Sequence, residues 1–184
     1  MELDKKLFED AIVFAVEAHR GQIRKGNGAP YVIHPIEVMM TLREVKETQY
    51  PYLLGTCALL HDVVEDTGIP LSMIQDKFGI QVAAVVGELS SDKSQIESKG
   101  KDLYLWEKIQ TISSWGRTIK LVDRLVNLRD CVQMGVEFKT KTYTGTQMLI
   151  AGALKTKLTK TQINIISLME PILIKMKSEC NILS

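Results

Sequence analysis

Charged side chains interrupt apolar, helix-like sequence at two places, and those places are where this chain can do chemistry. In residues 57–67, CALLHDVVEDT, His61, Asp62, Glu65 and Asp66 fall inside or at the end of a strongly apolar run. On a continuous helix, residues four apart share a face, so the spacing places His61 above Glu65 and Asp62 above Asp66. Two neighbouring polar stripes of this kind can bind a metal ion through the first turn and handle protons through the second. Burying three carboxylates and a histidine together without a cation would cost several kcal/mol.

The second interruption is residues 119–130, IKLVDRLVNLRD. Asp123, Asn127 and Asp130 follow at i, i+4 and i+7 on one stripe, while Leu121, Val122, Leu125 and Leu128 occupy the rest. Asp123 is a candidate oxygen ligand and Asn127 a candidate hydrogen-bond donor one turn along. His34, immediately before Pro35, is a third candidate ligand position. Together His34, His61, Asp62 and Asp123 make a two-histidine, two-aspartate set. Mixed nitrogen and oxygen donors suit Mn²⁺, Fe²⁺, Co²⁺ or Zn²⁺, and the set lacks the thiolates of structural zinc. Its carboxylate content, with room for water, favours Mn²⁺.

Each residue alone also has an ordinary structural reading. A helical histidine packs in a core, and three acids at a helix end are solvated. Asp123 can pair with Lys120 or Asn127 across one turn. Arg24 and Lys25 can be solvated loop charges, and Cys57 and Cys131 packing residues. The combination carries the argument, not any one member.

The elements that must position these residues read as helices. Apolar positions at spacings of three and four mark an amphipathic helix over 3–20. The next segment, GQIRKGNGAP, has three glycines and a proline in ten residues and reads as a loop. Proline is tolerated at the first helical position, so Pro35 predicts a helix over 36–46 with His34 near its N-cap. The run 52–66 is too long and apolar for a strand and predicts one buried helix. A short helix follows from Pro70 to Phe78-Gly79, then another over 80–89. Residues 90–100 read as an exposed loop; its Lys93 and Lys99, and Lys101 just after it, are solvated charges or additional phosphate contacts. Helices are expected over 101–113, 116–132, 138–157 and 160–180. Gly145 and Gly152 inside the penultimate one each cost up to about 1 kcal/mol relative to alanine. The expectation is a single all-α domain spanning residues 1–184.

Composition bounds the function classes. With 23 Lys+Arg against 22 Asp+Glu in 184 residues, the net charge is +1. That balance argues against general binding of nucleic acid or anionic membranes, which needs an excess of cations. Three scattered cysteines fit reduced thiols rather than a disulfide framework. The N-terminal residues MELDKKLFED form no secretory signal, and no apolar stretch reaches the roughly 20 residues of a membrane span. The expectation is a soluble, cytoplasmic protein, its oligomeric state left open.

In combination, an isolated histidine, a His-Asp pair and a distant aspartate resemble the metal-dependent HD phosphohydrolase pattern. More narrowly, GQIRKGNGAPYVIHP, ALLHDVVEDT and KLVDRLVNLRD resemble three successive signatures of the RelA/SpoT family's hydrolase domain, in the right order over about residues 8–131. The length is similar to that of the stand-alone members, the small alarmone hydrolases, which include the metazoan SpoT homologues. The resemblance implies an HD-domain helical bundle that hydrolyses the 3′-pyrophosphate of ppGpp and pppGpp with Mn²⁺. It also implies metal ligands at His34, His61, Asp62 and Asp123, and a water-activating pair at Glu65 and Asp66. Arg24 and Lys25 would meet the guanine base and the phosphates, and Asn127 and Tyr143 the nucleotide. An arginine can both stack on a purine and pair with phosphate, so one loop can read base and charge.

The departures lie mostly after residue 132, where KTKTYTGTQMLIAGALK replaces the family's aromatic and alanine-rich helix, and at Val126, where an aromatic or histidine is usual. They leave open another nucleotide, such as (p)ppApp or a 2′- or 3′-phosphorylated cofactor. A non-catalytic sensing module is the third reading, and the intact HDxxED pattern argues against it.

Overall fold

The computed structural model describes residues 2–46 and 48–182. In chain order its helices are α1 (Glu2–Ala18), α2 (Ile33–Val45), α3 (Pro51–Leu60), α4 (Val63–Thr67), α5 (Leu71–Leu89), α6 (Lys93–Lys99), α7 (Lys101–Thr111), α8 (Ser114–Cys131), α9 (Val136–Ala153) and α10 (Lys160–Glu179). The expected all-α class holds: the only extended pairing among the described residues is an isolated antiparallel bridge between Ile23 and Pro30. No helix among them is long and apolar enough to cross a membrane. The chain divides into two compact units, Met1–Ser91 with Ser113–Ile119, and Asp92–Ile112 with Lys120–Ser184.

The first unit is organised around α3. Residues 54–60 are all buried, as befits a helix apolar on every side, and α1, α2 and α5 pack against it. On α1 the buried stripe runs through Ala11 and Ala15 and continues, four residues on, to His19. The expected single helix over 52–66 is corrected here. The chain turns at His61 and Asp62, separating α3 from α4, and Asp62 adopts φ −102° and ψ −8°. That sparsely populated region is frequent at active sites. No glycine or proline marks the turn, so the cause is tertiary. Asp62 stands at the N-cap of α4, a position where aspartate ordinarily caps, yet its carboxylate makes no cap hydrogen bond. It is engaged elsewhere.

Two further boundaries differ from expectation or refine it. α2 begins at Ile33, so His34 lies inside the first turn rather than near the N-cap, with Pro35 third. A proline there removes an N–H that needs no helical partner anyway. The two helices expected over 70–89 meet at a break within α5, where Gly79 at φ +85° and ψ 164° takes a conformation that only glycine adopts without strain.

In the second unit, residues 93–99 of the expected loop form α6. Asp92 drives this, since its Oδ1 accepts from the backbone N–H of Ser94 and of Gln95, and Gln95 Nε2 donates back to Oδ2. These bonds hold the Asp92 carboxyl down at about 2, the Ser94 hydroxyl contributing most. α7 packs along α9. A Cβ at position 152 would sit 2.4 Å from the carbonyl oxygen of Trp106, so Gly152 is what permits this approach rather than a simple helix cost. Residues 120–131 of α8 belong to this unit. α10 starts at a capping box in which Thr159 and Gln162 satisfy each other's backbone N–H groups.

Candidate metal and nucleotide site

The turn between α3 and α4 brings three of the expected ligands together within the first unit. His34 comes from the first turn of α2, His61 from the end of α3, and Asp62 from the turn itself. His61 Nε2 lies 3.0 Å from Asp62 Oδ1, and His34 Nε2 lies 3.4 Å from Oδ2. The two rings meet edge to face with centroids 5.4 Å apart, and each offers a nitrogen within 4.8 Å of the other's. Both histidines are almost completely buried.

Hydrogen bonding fixes what His61 presents. Its Nδ1 is 2.7 Å from the carbonyl oxygen of Ala58, which can only accept, so Nδ1 carries the proton. In the neutral ring Nε2 is then a lone pair facing a carboxylate oxygen. Two acceptors so placed need a cation between them, either a proton or a metal ion. This donor set, imidazole nitrogen and carboxylate oxygen without sulfur, fits a divalent transition ion.

Electrostatics separates the acids. Burial pushes the Asp62 carboxyl up, but His61 and His34 more than offset it and hold it well below the usual carboxylate range. Asp66 moves the other way, raised first by burial and then by the charge of Asp62. Glu65 is tied down, its Oε2 accepting from the backbone N–H of Ser91 at 2.9 Å.

The loop carrying Arg24 and Lys25 is a short hairpin. Arg24 N–H donates to Ala29 O at 2.8 Å, and Tyr31 N–H donates to Gln22 O at 2.9 Å. Lys25 is exposed near the tip. Arg24 is only 8% exposed and lies 3.5 Å from Glu37 Oε2, so it is a packed, paired residue rather than a solvated charge.

In the second unit, Asp123 and Asn127 lie one turn apart on α8, as their spacing predicts. Asn127 Nδ2 donates to Asp123 Oδ1, and Lys120 Nζ lies 3.2 Å from Asp123 Oδ2. Both ordinary partners expected of Asp123 are therefore engaged. Tyr143 is half-buried in the middle of α9.

Several residues of this site are absent from the sequence reading. Tyr31 O–H donates to Asp62 Oδ2 at 2.9 Å. His19 Nδ1 donates to Gln22 Oε1 at 2.8 Å, and Gln22 Nε2 donates to the backbone carbonyl of Asp66 at 2.8 Å. Glu37 holds Arg24. A signal existed for His19, which continues the buried Ala11 and Ala15 stripe. Tyr31, one helical turn before His34, offered a weaker one.

Over residues 11–110 the sequence matches the family model described as HD domain. The chain belongs to the HD-domain family. HD domains bind a divalent metal ion, and in this one His34 and His61, with the Asp62 carboxylate beside both rings, are candidate ligands for it. The human guanosine-3′,5′-bis(diphosphate) 3′-pyrophosphohydrolase MESH1 is 40% identical to this HD domain protein over 123 residues, which is 66% of this chain and 67% of that protein. The bifunctional (p)ppGpp synthase/hydrolase SpoT of Escherichia coli is 34% identical over 131 residues, 67% of this chain and 18% of SpoT. Among solved structures, a metazoan ortholog of SpoT described as hydrolysing ppGpp and acting in starvation responses matches with a TM-score of 0.74 at 26% identity. The match covers 90% of this chain and 94% of that one.

Proposed function

We propose that this chain is a metal-dependent guanosine-3′,5′-bis(diphosphate) 3′-pyrophosphohydrolase, acting in the cytoplasm on ppGpp and pppGpp and releasing pyrophosphate with GDP or GTP. The observation that carries this reading is the carboxylate of Asp62 held between two buried imidazoles, with Asp66 one turn beyond it. The relatives named for this reaction support it, as does the order of the three motifs.

In this proposal residues 1–184 act as one phosphohydrolase domain in which His34, His61, Asp62 and Asp123 would hold one Mn²⁺. When bound, the ion supplies Lewis acidity toward a phosphoryl oxygen and acidifies its water. The chain's own residues do the rest. Asp66, with its raised carboxyl, accepts the proton of the attacking water, one water being consumed per pyrophosphate released. Glu65, anchored on Ser91, orients it. Lys25 offers its ammonium to the phosphates, Arg24 presents its guanidinium plane to the base, and Asn127 and Tyr143 contact the nucleotide.

The test is ion-exchange chromatography of products from ppGpp, pppGpp and their adenine analogues, with Mn²⁺ and with EDTA. Mn²⁺-dependent release of GDP or GTP with pyrophosphate is expected. Preferential turnover of the adenine compounds would reassign the base. No turnover by folded, metal-loaded protein would overturn the reading in favour of another phosphorylated nucleotide or a binding module.

A further inference from the structure

Two parts of the first unit, the Asp62 carboxylate and the hairpin after α1, meet at one residue. The hydroxyl of Tyr31 donates to Asp62 Oδ2 at 2.9 Å, and its ring centroid is 5.7 Å from that of His34. Its backbone N–H closes the hairpin that carries Arg24 and Lys25, donating to Gln22 O. His19 packs against the same ring, with centroids 5.0 Å apart. Through Nδ1 it also holds Gln22, whose amide reaches the backbone of Asp66. The hairpin is thus fastened at one end to a carboxylate of the metal cluster and at the other to the backbone of an acid in α4.

We propose that Tyr31 is a positioning residue that couples metal binding to nucleotide binding. Its hydroxyl orients the Asp62 carboxylate, and its ring, braced by His19, sets the hairpin that presents Arg24 and Lys25. The inference rests on the function proposed above, specifically on Asp62 as a metal ligand and the hairpin as the nucleotide loop. The two tasks reside in different atoms of one residue. Metal ligands depend on such outer hydrogen bonds, whose loss costs about 10- to 100-fold in metal affinity. Coupling of this kind is reciprocal, so metal should tighten nucleotide binding by the factor that nucleotide tightens metal binding.

The separation of atoms makes the proposal testable. Calorimetric titration with Mn²⁺ alone, without nucleotide, reads the first task. Tyr31→Phe keeps the ring and should bind Mn²⁺ about 10- to 100-fold more weakly. Tyr31→Leu removes the ring as well and should raise KM at least about tenfold even at saturating Mn²⁺. His19→Ala should raise KM with little change in Mn²⁺ affinity. Wild-type Mn²⁺ affinity in Tyr31→Phe overturns the first half, and an unchanged KM in folded Tyr31→Leu or His19→Ala overturns the second. Asp62→Asn is the control: if it binds Mn²⁺ like the parent, the ligand assignment itself has failed. If it loses Mn²⁺ while Tyr31→Phe does not, only the coupling has. Tyr31→Phe conserves the packing, so the test survives even if Tyr31→Leu does not fold.

Discussion

The backbone N–H of Ser91, just past the end of α5, donates to Glu65 Oε2 at 2.9 Å. That bond distinguishes two acids that are adjacent in sequence. Glu65 is anchored on α5's exit, whereas Asp66 has its carboxyl raised by burial and by the nearby charge of Asp62. A carboxylate of higher proton affinity is the better acceptor near neutral pH.

Asp66→Asn should therefore lower kcat about 10²- to 10⁴-fold, the usual contribution of a positioned proton acceptor. Glu65→Gln keeps an oxygen for the Ser91 N–H and should lose less than about tenfold, on the same scale. Single-turnover kinetics on samples of measured Mn²⁺ content decides between this and equal losses, which would mean that the two acids act as one.

Removing a metal ligand should abolish the metal's effect on stability. A ligand present at 100 times its dissociation constant stabilises the folded state by about 2.7 kcal/mol. Thermal unfolding of the parent should shift upward with Mn²⁺ and return with EDTA. Asp62→Ala and His61→Ala should show no such shift. A full shift in either removes that residue from the ligand set.

The hairpin makes a kinetic prediction. Replacing Arg24 and Lys25 together by alanine should raise KM for ppGpp at least about tenfold and change kcat less, the signature of lost ground-state binding. Because Arg24 is buried against Glu37, the double variant needs a circular-dichroism melt beside the kinetics. An unchanged KM in folded protein would remove the hairpin from the nucleotide site.

The thiols predict a pH dependence. Burial pushes the Cys57 thiol from its ordinary value of 9.0 up to about 12. Burial also raises Cys131, while Cys180 is half-buried at the end of α10. Since the thiolate is the nucleophile, Ellman's reagent at pH 8 should label Cys180 first and Cys57 only on unfolding. The unfolded chain loses the Cys57 proton near pH 9 and the folded chain keeps it to about 12. The folded state then binds more protons, so stability falls as pH rises through that window, by up to about 1.4 kcal/mol per unit. Cys57→Ala should flatten that part of the curve in denaturant titrations from pH 8 to 11.

The helices were legible because apolar residues recur at helical spacing, and Gly79 and Pro70 punctuate the chain where they should. The turn at His61 and Asp62 was not. Its local sequence favours continuous helix, and the preference is overridden by Tyr31, His34 and His61 drawing on the Asp62 carboxylate, partners up to 31 residues away. α6 was missed because its cap, Asp92 with Gln95 three residues on, lies within a polar run that resembles a loop. The ligand types could be read from composition within the motifs. Of their supports, His19 and Tyr31 left only faint traces in the spacing and Gln22 and Glu37 none, since an ordinary polar residue acquires such a role from where the fold places it.

A methyl group on residue 152 would lie 2.4 Å from the Trp106 carbonyl oxygen and 2.6 Å from Ile109 Cγ2. A crowded side chain can swing aside, but a main-chain carbonyl that also accepts from Gln110 Nε2 cannot. Among random variants of α9, solvent-facing positions such as Lys141, Thr144 and Gln147 can drift through most of the amino-acid alphabet. Position 152 has a single permitted letter. The residue with no functional group at all is thereby the one in that helix with the least freedom to change.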